Sequence, residues 1–303
     1  MHVLLIAGGW SNEREVSLSG ARNIRAALEE LGHTVTDFDP ATDLHRLLDA
    51  ARAHDFCFLN LHGSPGEDGL IQALLDQAGR PYQGAGPKAS FLALDKAAAK
   101  MVFADAGIPT PDWELVTLPP RPDWAPRLDY PVMLKPNAGG SSLGMALVQD
   151  EAALRPGMDA IFAMNQAVLM EALVPGTELT CSVLDGRALP LILIRPKGDA
   201  PFFDYHNKYD ADGAEEICPA PVDEGLTRRI QELSVRAHQA LGIDGYSRAD
   251  FMVDAAGEPW LLEVNTLPGM PATSLLPRSA RAAGMVFPAL IAELIRLGLE
   301  DRP

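Results

Sequence analysis

The sequence has 303 residues, of which 47% are hydrophobic, and this is enough for two or three modest domains that each bury a core. Its formal net charge of −16 argues against nucleic acid or an anionic membrane as a partner, because either would need a basic patch. The cysteines Cys57, Cys181 and Cys218 lack Cys-x-x-Cys spacing, so we expect no disulfide framework or zinc site. Without a membrane-spanning apolar run or a signal-peptide layout, a reduced, cytoplasmic setting is expected.

Strand and helix patterns alternate in the first part of the chain. A continuous apolar run at 3–7, followed by two glycines, is typical of a buried parallel strand. A helical repeat then covers 13–31 and ends at Gly32. The same alternation predicts four further elements, at 34–38, 43–53, 56–61 and 69–78. We therefore predict an α/β domain with a parallel sheet over residues 1–87.

Two loops follow predicted strand ends in this domain, where open α/β sheets place their ligands. The first is the charged segment 13–17, and the second is the glycine-rich segment 62–69, which begins with His62. The charges of 13–17 are explained equally well by the dipole at a helix start, and a lone loop histidine is more often only solvated. These residues alone do not decide whether the two loops bind a ligand or have only a structural role.

A second predicted domain, 88–175, contains a candidate phosphate site. It begins with a predicted helix over 88–106, and strands follow near 112–117 and 131–135. Lys135 closes the second strand and leads into the loop 137–144, which holds three glycines and two serines. Glycine lets backbone N–H groups approach a phosphate and lysine adds charge, although the order is not that of a Walker A loop. A mobile turn between two strands would have the same composition.

The last predicted domain, 176–303, is of the α+β type. A hairpin is predicted from 178–184 and 187–194, joined at Asp185-Gly186. The other features are a polar loop around 204–210, a helix over 224–241, a loop that carries Ser274 and Leu275, and a last helix over 285–297.

The most informative hairpin covers residues 246–266. With its turn centred on Ala256-Gly257, Asp250 lies opposite Glu263 and Arg248 lies opposite Asn265, all on one face. The other face is predicted to hold the apolar residues Phe251, Val253, Leu262 and Val264. Two acids opposite one another need a cation, and oxygen donors on one face suit Mg²⁺. The alternative is a solvated polar face.

Eight short motifs occur in an order that is typical of one enzyme family. They are Glu-Arg-Glu-Val-Ser at 13–17, Leu-His-Gly-x-x-Gly-Glu-Asp-Gly at 61–69, Leu-Asp-Lys at 94–96, Lys-Pro-x-x-x-Gly-Ser-Ser-x-Gly at 135–144, Lys-Tyr at 208–209, Arg-x-Asp at 248–250, Leu-Glu-x-Asn-Thr at 262–266 and Pro-Gly-Met at 268–270. Each motif alone is moderately specific, but the ordered set spans essentially the whole chain. The sequence closely resembles the D-alanine–D-alanine ligases of the ATP-grasp superfamily.

The resemblance implies a three-domain ATP-grasp fold in which ATP is gripped between the central and C-terminal domains. The implied ATP contacts are Lys96 and Lys135 on the phosphates, the loop residues Gly140, Ser141 and Ser142 above them, Glu171 and Leu173 beside the adenine, and Glu178 on the ribose. The implied Mg²⁺ ligands are Asp250, Glu263 and Asn265, with two ions expected and Mn²⁺ as an alternative.

The resemblance also assigns residues to two D-alanine molecules. Glu13 would hold the ammonium group of the first, with Ser17 and His62 close to it, and Arg248 would stabilise the developing oxyanion. Ser274 and Leu275 would hold the carboxylate of the second. Tyr209, next to Lys208 on a loop that closes over the site, would join Ser141 and Glu13 in a hydrogen-bond chain.

The implied reaction is the ATP-dependent ligation of two D-alanine molecules through an acyl phosphate, which releases ADP and phosphate and supplies a peptidoglycan precursor. The family also suggests a homodimer. One alternative is a D-alanine–D-lactate ligase or another ATP-grasp carboxylate–amine ligase. Another is a nucleotide-binding module without catalysis, which would have no use for Arg248 beside three metal ligands.

Overall fold

The structure is a computed structural model that describes residues 1–140, 143–196, 214–271 and 273–301. Four predicted site residues, Ser141, Ser142, Lys208 and Tyr209, lie outside these ranges. The described chain is built from helices and three separate sheets, one parallel and two antiparallel, so the predicted mixture of α/β and α+β architecture is confirmed.

The amino-terminal sheet is parallel, as predicted, with the order β2-β1-β3. Its elements are β1 (His2–Ala7), α1 (Arg14–Glu30), β2 (Thr34–Phe38), α2 (Pro40–Asp43), α3 (Leu47–Arg52), β3 (Phe56–Asn60) and α4 (Leu70–Ala78). The single helix predicted at 43–53 is wrong, because α2 and α3 are separated by a 3-10 turn over Leu44–Arg46. The helical region starts early because the Asp39 carboxylate accepts a hydrogen bond from Ala41 N–H and Pro40 is preset for a first helical turn.

The helix predicted at 88–106 is also broken, into α5 (Pro87–Leu94) and α6 (Lys96–Asp105). Asp95 between them has extended dihedral angles, φ −78° and ψ 98°, and its carboxylate accepts a hydrogen bond from Ala98 N–H. It is therefore an N-cap inside what looks like one helical repeat. The break makes Lys96 the first residue of a new helix, and its N–H donates to the Asn137 carbonyl at 3.0 Å.

The central sheet is antiparallel, with four described strands in the order β4-β7-β5-β6. They are β4 (Trp113–Val116), β5 (Val132–Pro136), β6 (Ala146–Val148) and β7 (Val168–Ala172), and α7 (Glu151–Phe162) covers one face. The sequence did not predict α7, because Pro156 and Gly157 in its middle read as a helix break. Gly157 lets α7 pack closely on the sheet, since a Cβ there would lie 2.8 Å from Leu134 Cδ1 and would force that side chain to move.

The third sheet contains six described strands in the order β11-β10-β8-β12-β13, with β9 paired to β8. They are β8 (Thr177–Leu184), β9 (Arg187–Ala188), β10 (Ile192–Pro196), β11 (Ala214–Ile217), β12 (Tyr246–Val253) and β13 (Pro259–Asn265). Helix α8 (Glu224–Ala240) packs on this sheet, and α9 (Leu275–Ala282) and α10 (Phe287–Asp301) follow it in the chain. The predicted hairpin turn at Asp185-Gly186 is present, with φ of 52° and 67°.

The pairing of β12 with β13 agrees with the prediction at one end and differs at the other. Asp250 pairs with Glu263 and Arg248 pairs with Asn265, as predicted. Beyond a bulge the register changes, and Phe251 pairs with Leu261. The prediction that Leu262 shares the apolar face is therefore wrong: Leu261 is 0% exposed in the core, whereas Leu262 lines the cavity described below.

The carboxyl-terminal helices pack against the amino-terminal sheet. Leu276 of α9 and Leu290 of α10 share a buried cluster with Leu4 of β1 and Phe58 of β3. Among the described residues, no single helix has the length and hydropathy to span a bilayer, whereas α9 and α10, bent by 104°, pass that test together by length and composition alone. The domain limits 1–87, 88–175 and 176–303 stay a prediction.

Buried His238 gives a prediction about stability. Its Nδ1 lies 2.8 Å from Ser247 Oγ, and burial lowers the pKa of the imidazole to about 4 from its ordinary 6.5. A group that is neutral in the folded state contributes stability that is fully present above the unfolded-state pKa and is lost as the pH falls toward the folded-state value. We expect unfolding to become easier by about 3 kcal/mol between pH 6.5 and 4 through this residue.

Urea unfolding of the protein and of His238→Gln at pH 7 and pH 5 measures this contribution. The variant is expected to lose less stability between the two pH values than the unmutated protein. An equal loss in both proteins would show that His238 is not the titrating group.

Candidate active site

Arg248 and Asp250 form a buried ion pair on β12. The guanidinium donates from Nε to Asp250 Oδ1 at 2.8 Å and from Nη2 to Oδ2 at 2.7 Å, and Thr180 Oγ1 donates to Oδ1 at 2.6 Å. Burial lowers the pKa of Arg248, but Asp250, Glu263 and Glu67 outweigh it, so the pKa lies above its ordinary value. The site therefore holds a positive charge whose orientation is fixed by two hydrogen bonds to Asp250.

A second buried cluster lies between β5, β7 and α6. Glu171, 3% exposed, is 2.6 Å from Lys135 Nζ through Oε1 and 2.6 Å from Lys100 Nζ through Oε2. Burial raises the pKa of Glu171, but the two ammonium groups outweigh it and hold the pKa below its usual value. Glu171 is thus an ionised acid shared by two lysines.

Lys100 was missed by the sequence analysis. Its side chain is 0% exposed, and Nζ also donates to Thr110 Oγ1 at 2.6 Å, which in turn donates to the Leu261 carbonyl at 2.8 Å. The available signal was its spacing, since Lys100 follows Lys96 by four residues and side chains four apart share a helix face. Lys100 therefore links α6 to β7 and to the hairpin that carries Glu263.

Lys96 joins the loop 137–144 to the β12–β13 hairpin. Its ammonium group donates to the Gly139 carbonyl and lies 3.5 Å from Glu263 Oε2. Lys96 is 9% exposed and Lys135 is also buried. Both lysines come from the central part of the chain and bring positive charge to the side of the β12–β13 hairpin that carries Glu263.

A cavity of about 650 Å³ opens between the central and third sheets. Eight of the residues predicted for the site line it: the polar Lys135, Glu171, Glu178, Arg248, Asp250 and Glu263, and the apolar Leu173 and Leu275. Its walls are apolar, with Met133 and Leu147 from the central sheet and Ile194 and Met252 from the third. This combination accommodates a flat ring between apolar side chains and anionic groups at the lysines.

The predicted site residues Glu13 and His62 of the amino-terminal part lie beside the loop 137–144. A Cβ built on Gly140 would lie 3.5 Å from Glu13 Oε2 and 3.9 Å from Glu67 Oε2, so both acids face this loop. His62 is 6% exposed, with Nδ1 3.9 Å from Glu67 Oε1, and its Nε2 has no hydrogen-bond partner among the described residues. This buried ring nitrogen can pair with a polar group of a ligand or with a water molecule.

Ser17 is placed differently from the other predicted substrate residues. It is 0% exposed, its Oγ accepts a hydrogen bond from Gly8 N–H at 2.8 Å, and its hydroxyl donates to the Asn60 carbonyl. Both bonds tie the end of β1 to the end of β3. The predicted contact of Ser17 with a substrate stays a prediction, and its observed bonds position the loop that carries Glu13.

Ser274 and Leu275 lie at the start of α9 instead of in the predicted loop. Ser274 is the N-cap, and its side chain makes no capping hydrogen bond, while Leu275 lines the cavity. The sequence did not reveal α9 because Pro268-Gly269 and Pro271 just before it read as an extended loop. The N–H groups of Leu275 and Leu276 have no hydrogen-bond partner among the described residues, and such groups at a helix start suit an anion such as a carboxylate.

The donor set around Asp250 fits a divalent cation. Asp250 and Glu263 face one another, and Asn265, whose Oδ1 accepts a hydrogen bond from Leu267 N–H at 2.9 Å, stands opposite Arg248. Within the described ranges, no group of three or more His, Cys, Asp or Glu side chains forms a complete metal cage. Two carboxylates and one amide oxygen suit Mg²⁺ when phosphate and water supply its remaining ligands.

Comparison with known proteins identifies the family. The model of the family described as "D-ala D-ala ligase C-terminus" matches residues 102–296. The chain is 56% identical to the D-alanine–D-alanine ligase of Nitratidesulfovibrio vulgaris strain DP4, over 99% of this chain and 98% of that protein. It is also 56% identical to the enzyme of that name from Maridesulfovibrio salexigens, over 100% of both.

Solved structures agree with this comparison. The D-alanine–D-alanine ligase of Bacillus anthracis is 36% identical with a TM-score of 0.90, covering 100% of this chain and 98% of that one. The structure of the same enzyme complexed with ATP is 33% identical with a TM-score of 0.86 and the same coverage. Full-length similarity to these enzymes, together with the ordered motifs and the cavity between the two antiparallel sheets, places the chain in the D-alanine–D-alanine ligase family, which has the ATP-grasp fold.

Proposed function

We propose that this chain joins two D-alanine molecules into D-alanyl-D-alanine, at the cost of one ATP, for peptidoglycan precursor synthesis. The observation that carries the proposal is the cavity between the two antiparallel sheets, where Lys135, Arg248, Asp250 and Glu263 converge. The homodimer and the cytoplasmic location belong to the same proposal and rest on the family resemblance.

ATP enters with its adenine between the apolar walls of the cavity. Met133 and Met252 stand on opposite sheets, and Glu171 lies beside them with its carboxylate ionised and therefore able to accept a hydrogen bond from the adenine amino group. Leu173 lies on the same side, and Glu178 accepts from the ribose hydroxyls. Lys96 and Lys135 hold the phosphates, and the loop 137–144 covers them.

The first D-alanine lies at the amino-terminal side, where Glu13 binds its ammonium group next to His62. Its carboxylate oxygen attacks the γ-phosphorus of ATP, which forms the acyl phosphate and releases ADP. Lys96, Lys135 and Arg248 neutralise the charge on the transferred phosphoryl oxygens. Asp250, Glu263 and Asn265 would hold Mg²⁺, which would supply further neutralisation of the phosphate charge.

The second D-alanine binds with its carboxylate at Ser274 and the start of α9. After losing a proton, its amine attacks the carbonyl carbon of the acyl phosphate, and the tetrahedral intermediate expels phosphate as the amide bond forms. Arg248 faces the developing oxyanion with its charge already fixed by Asp250, so no reorganisation is needed at that moment.

The test is the release of phosphate from ATP by the purified protein. We expect release only when D-alanine and Mg²⁺ are both present, with D-alanyl-D-alanine as the product, because the acyl phosphate forms only on a bound carboxylate. Equal turnover with L-alanine, or none with D-alanine, would contradict the proposal. With D-alanine and D-lactate at equal concentration, predominance of the ester product would instead support the D-lactate alternative.

A further inference from the structure

An acid that the sequence analysis did not select lies on the functional face of the third sheet. Glu216 of β11 pairs with Ile194, Ile194 pairs with Glu178, and Glu178 pairs with Met252. Directly paired residues point to the same side of a sheet. Met252, Asp250 and Arg248 alternate along β12, so Glu216 shares their face.

Glu216 is bound by an arginine from the helix that begins at Ser274. Arg278 Nη2 lies 3.0 Å from Glu216 Oε2, and Nη1 donates to the Glu216 carbonyl at 2.8 Å. Nη2 also donates to the Thr273 carbonyl at 3.2 Å. One guanidinium thus ties β11 to the backbone just before Ser274, in a geometry that a lysine cannot reproduce.

The position of Arg278 is unfavourable for the helix itself. It is the fourth residue of α9, and its N–H donates to the Ser274 carbonyl at 3.0 Å, so its charge lies at the positive end of the helix dipole. Glu216 supplies the compensating negative charge. Burial raises the pKa of Glu216 above its ordinary value, and the positive charges of Arg278 and Arg248 oppose this rise only in part.

We propose that Arg278 and Glu216 are positioning residues for the second D-alanine. The pair holds the segment 273–275 against β11, and this fixes Ser274 and the N–H groups of the first turn of α9 relative to Arg248. The residues assigned to the first D-alanine and to the phosphates of ATP lie on other elements. This inference rests on the proposed function, because it concerns the acceptor of that reaction.

The test measures initial rates against D-alanine at saturating ATP and Mg²⁺, analysed with separate KM values for the first and second D-alanine. Arg278→Met is expected to raise the second KM about 10-fold, the effect of losing one charged hydrogen-bonding group. The first KM and the KM for ATP should stay within about 2-fold. Arg278→Lys and Glu216→Gln, which keep the charge or the shape, are expected to give smaller increases in the second KM alone.

Arg281→Met is the matched control, because Arg281 is an exposed arginine of the same helix. Thermal unfolding of each variant shows whether it is folded; if Arg278→Met is not, the Lys and Gln variants decide. Second KM values equal to that of Arg281→Met, or equal rises in all three KM values, would overturn the inference while leaving the function intact. An unmutated protein that makes no D-alanyl-D-alanine would overturn the proposed function, and the inference with it.

Discussion

Glu263→Gln is expected to lower the rate of D-alanyl-D-alanine synthesis by at least about 10²-fold, the scale for removing a preorganised electrostatic group from a reacting centre. Glu263 faces Asp250 across the hairpin and is 3.5 Å from Lys96. The amide keeps the shape of the side chain but removes one of the two negative charges that attract the divalent ion. The Mg²⁺ concentration needed for half-maximal rate should therefore rise as well.

The measurement is a Mg²⁺ titration of phosphate release, with Glu232→Gln as the control. Glu232 is an exposed acid of α8 on which the proposed mechanism places no role, so its replacement changes the net charge equally. Near-normal activity of Glu263→Gln with an unchanged Mg²⁺ requirement would show that the hairpin does not hold the ion.

The functional end of this hairpin was predictable because period-2 patterning and opposed acids leave few registers that place polar groups together. The end of the hairpin next to the turn was not predictable. The turn has one more residue than predicted, and a bulge before Glu263 restores the predicted pairing of β12 with β13. Two single-residue shifts of opposite sign cancel at Asp250. Each shift alone would move apolar residues to the other face of the sheet. The two together restore the predicted faces at Asp250, so hydrophobic alternation does not reveal them.

The predicted limits of a helix were wrong where an N-cap residue lies inside a helical repeat. Asp95 interrupts the repeat between α5 and α6, and the resulting break places Lys96 at the start of α6. Contacts between residues far apart in sequence could not be predicted, for a different reason. Glu216 with Arg278 and Lys100 with Glu171 are each more than sixty residues apart in sequence, and no local pattern reports such a pair.

Lys100→Met is expected to raise the KM for ATP at least about 10-fold, because Lys100 shares the charge of Glu171 with Lys135. Without Lys100, the Glu171 carboxylate holds only Lys135, and the phosphates of ATP must compete for that ammonium group. Thr110→Val, which removes the hydroxyl between Lys100 and the Leu261 carbonyl, is expected to give a smaller rise. Lys88→Met, at an exposed lysine of α5, is the control.

The stability of the double variant separates charge balance from packing. Loss of Lys100 leaves a buried carboxylate with one cation fewer, and we expect the free energy of unfolding to fall by about 3 kcal/mol. In Lys100→Met combined with Glu171→Gln, the uncompensated charge is gone, so urea unfolding should show higher stability than in Lys100→Met alone. A double variant whose stability loss equals the sum of the two single losses would mean that the lysine and the acid do not act on one another.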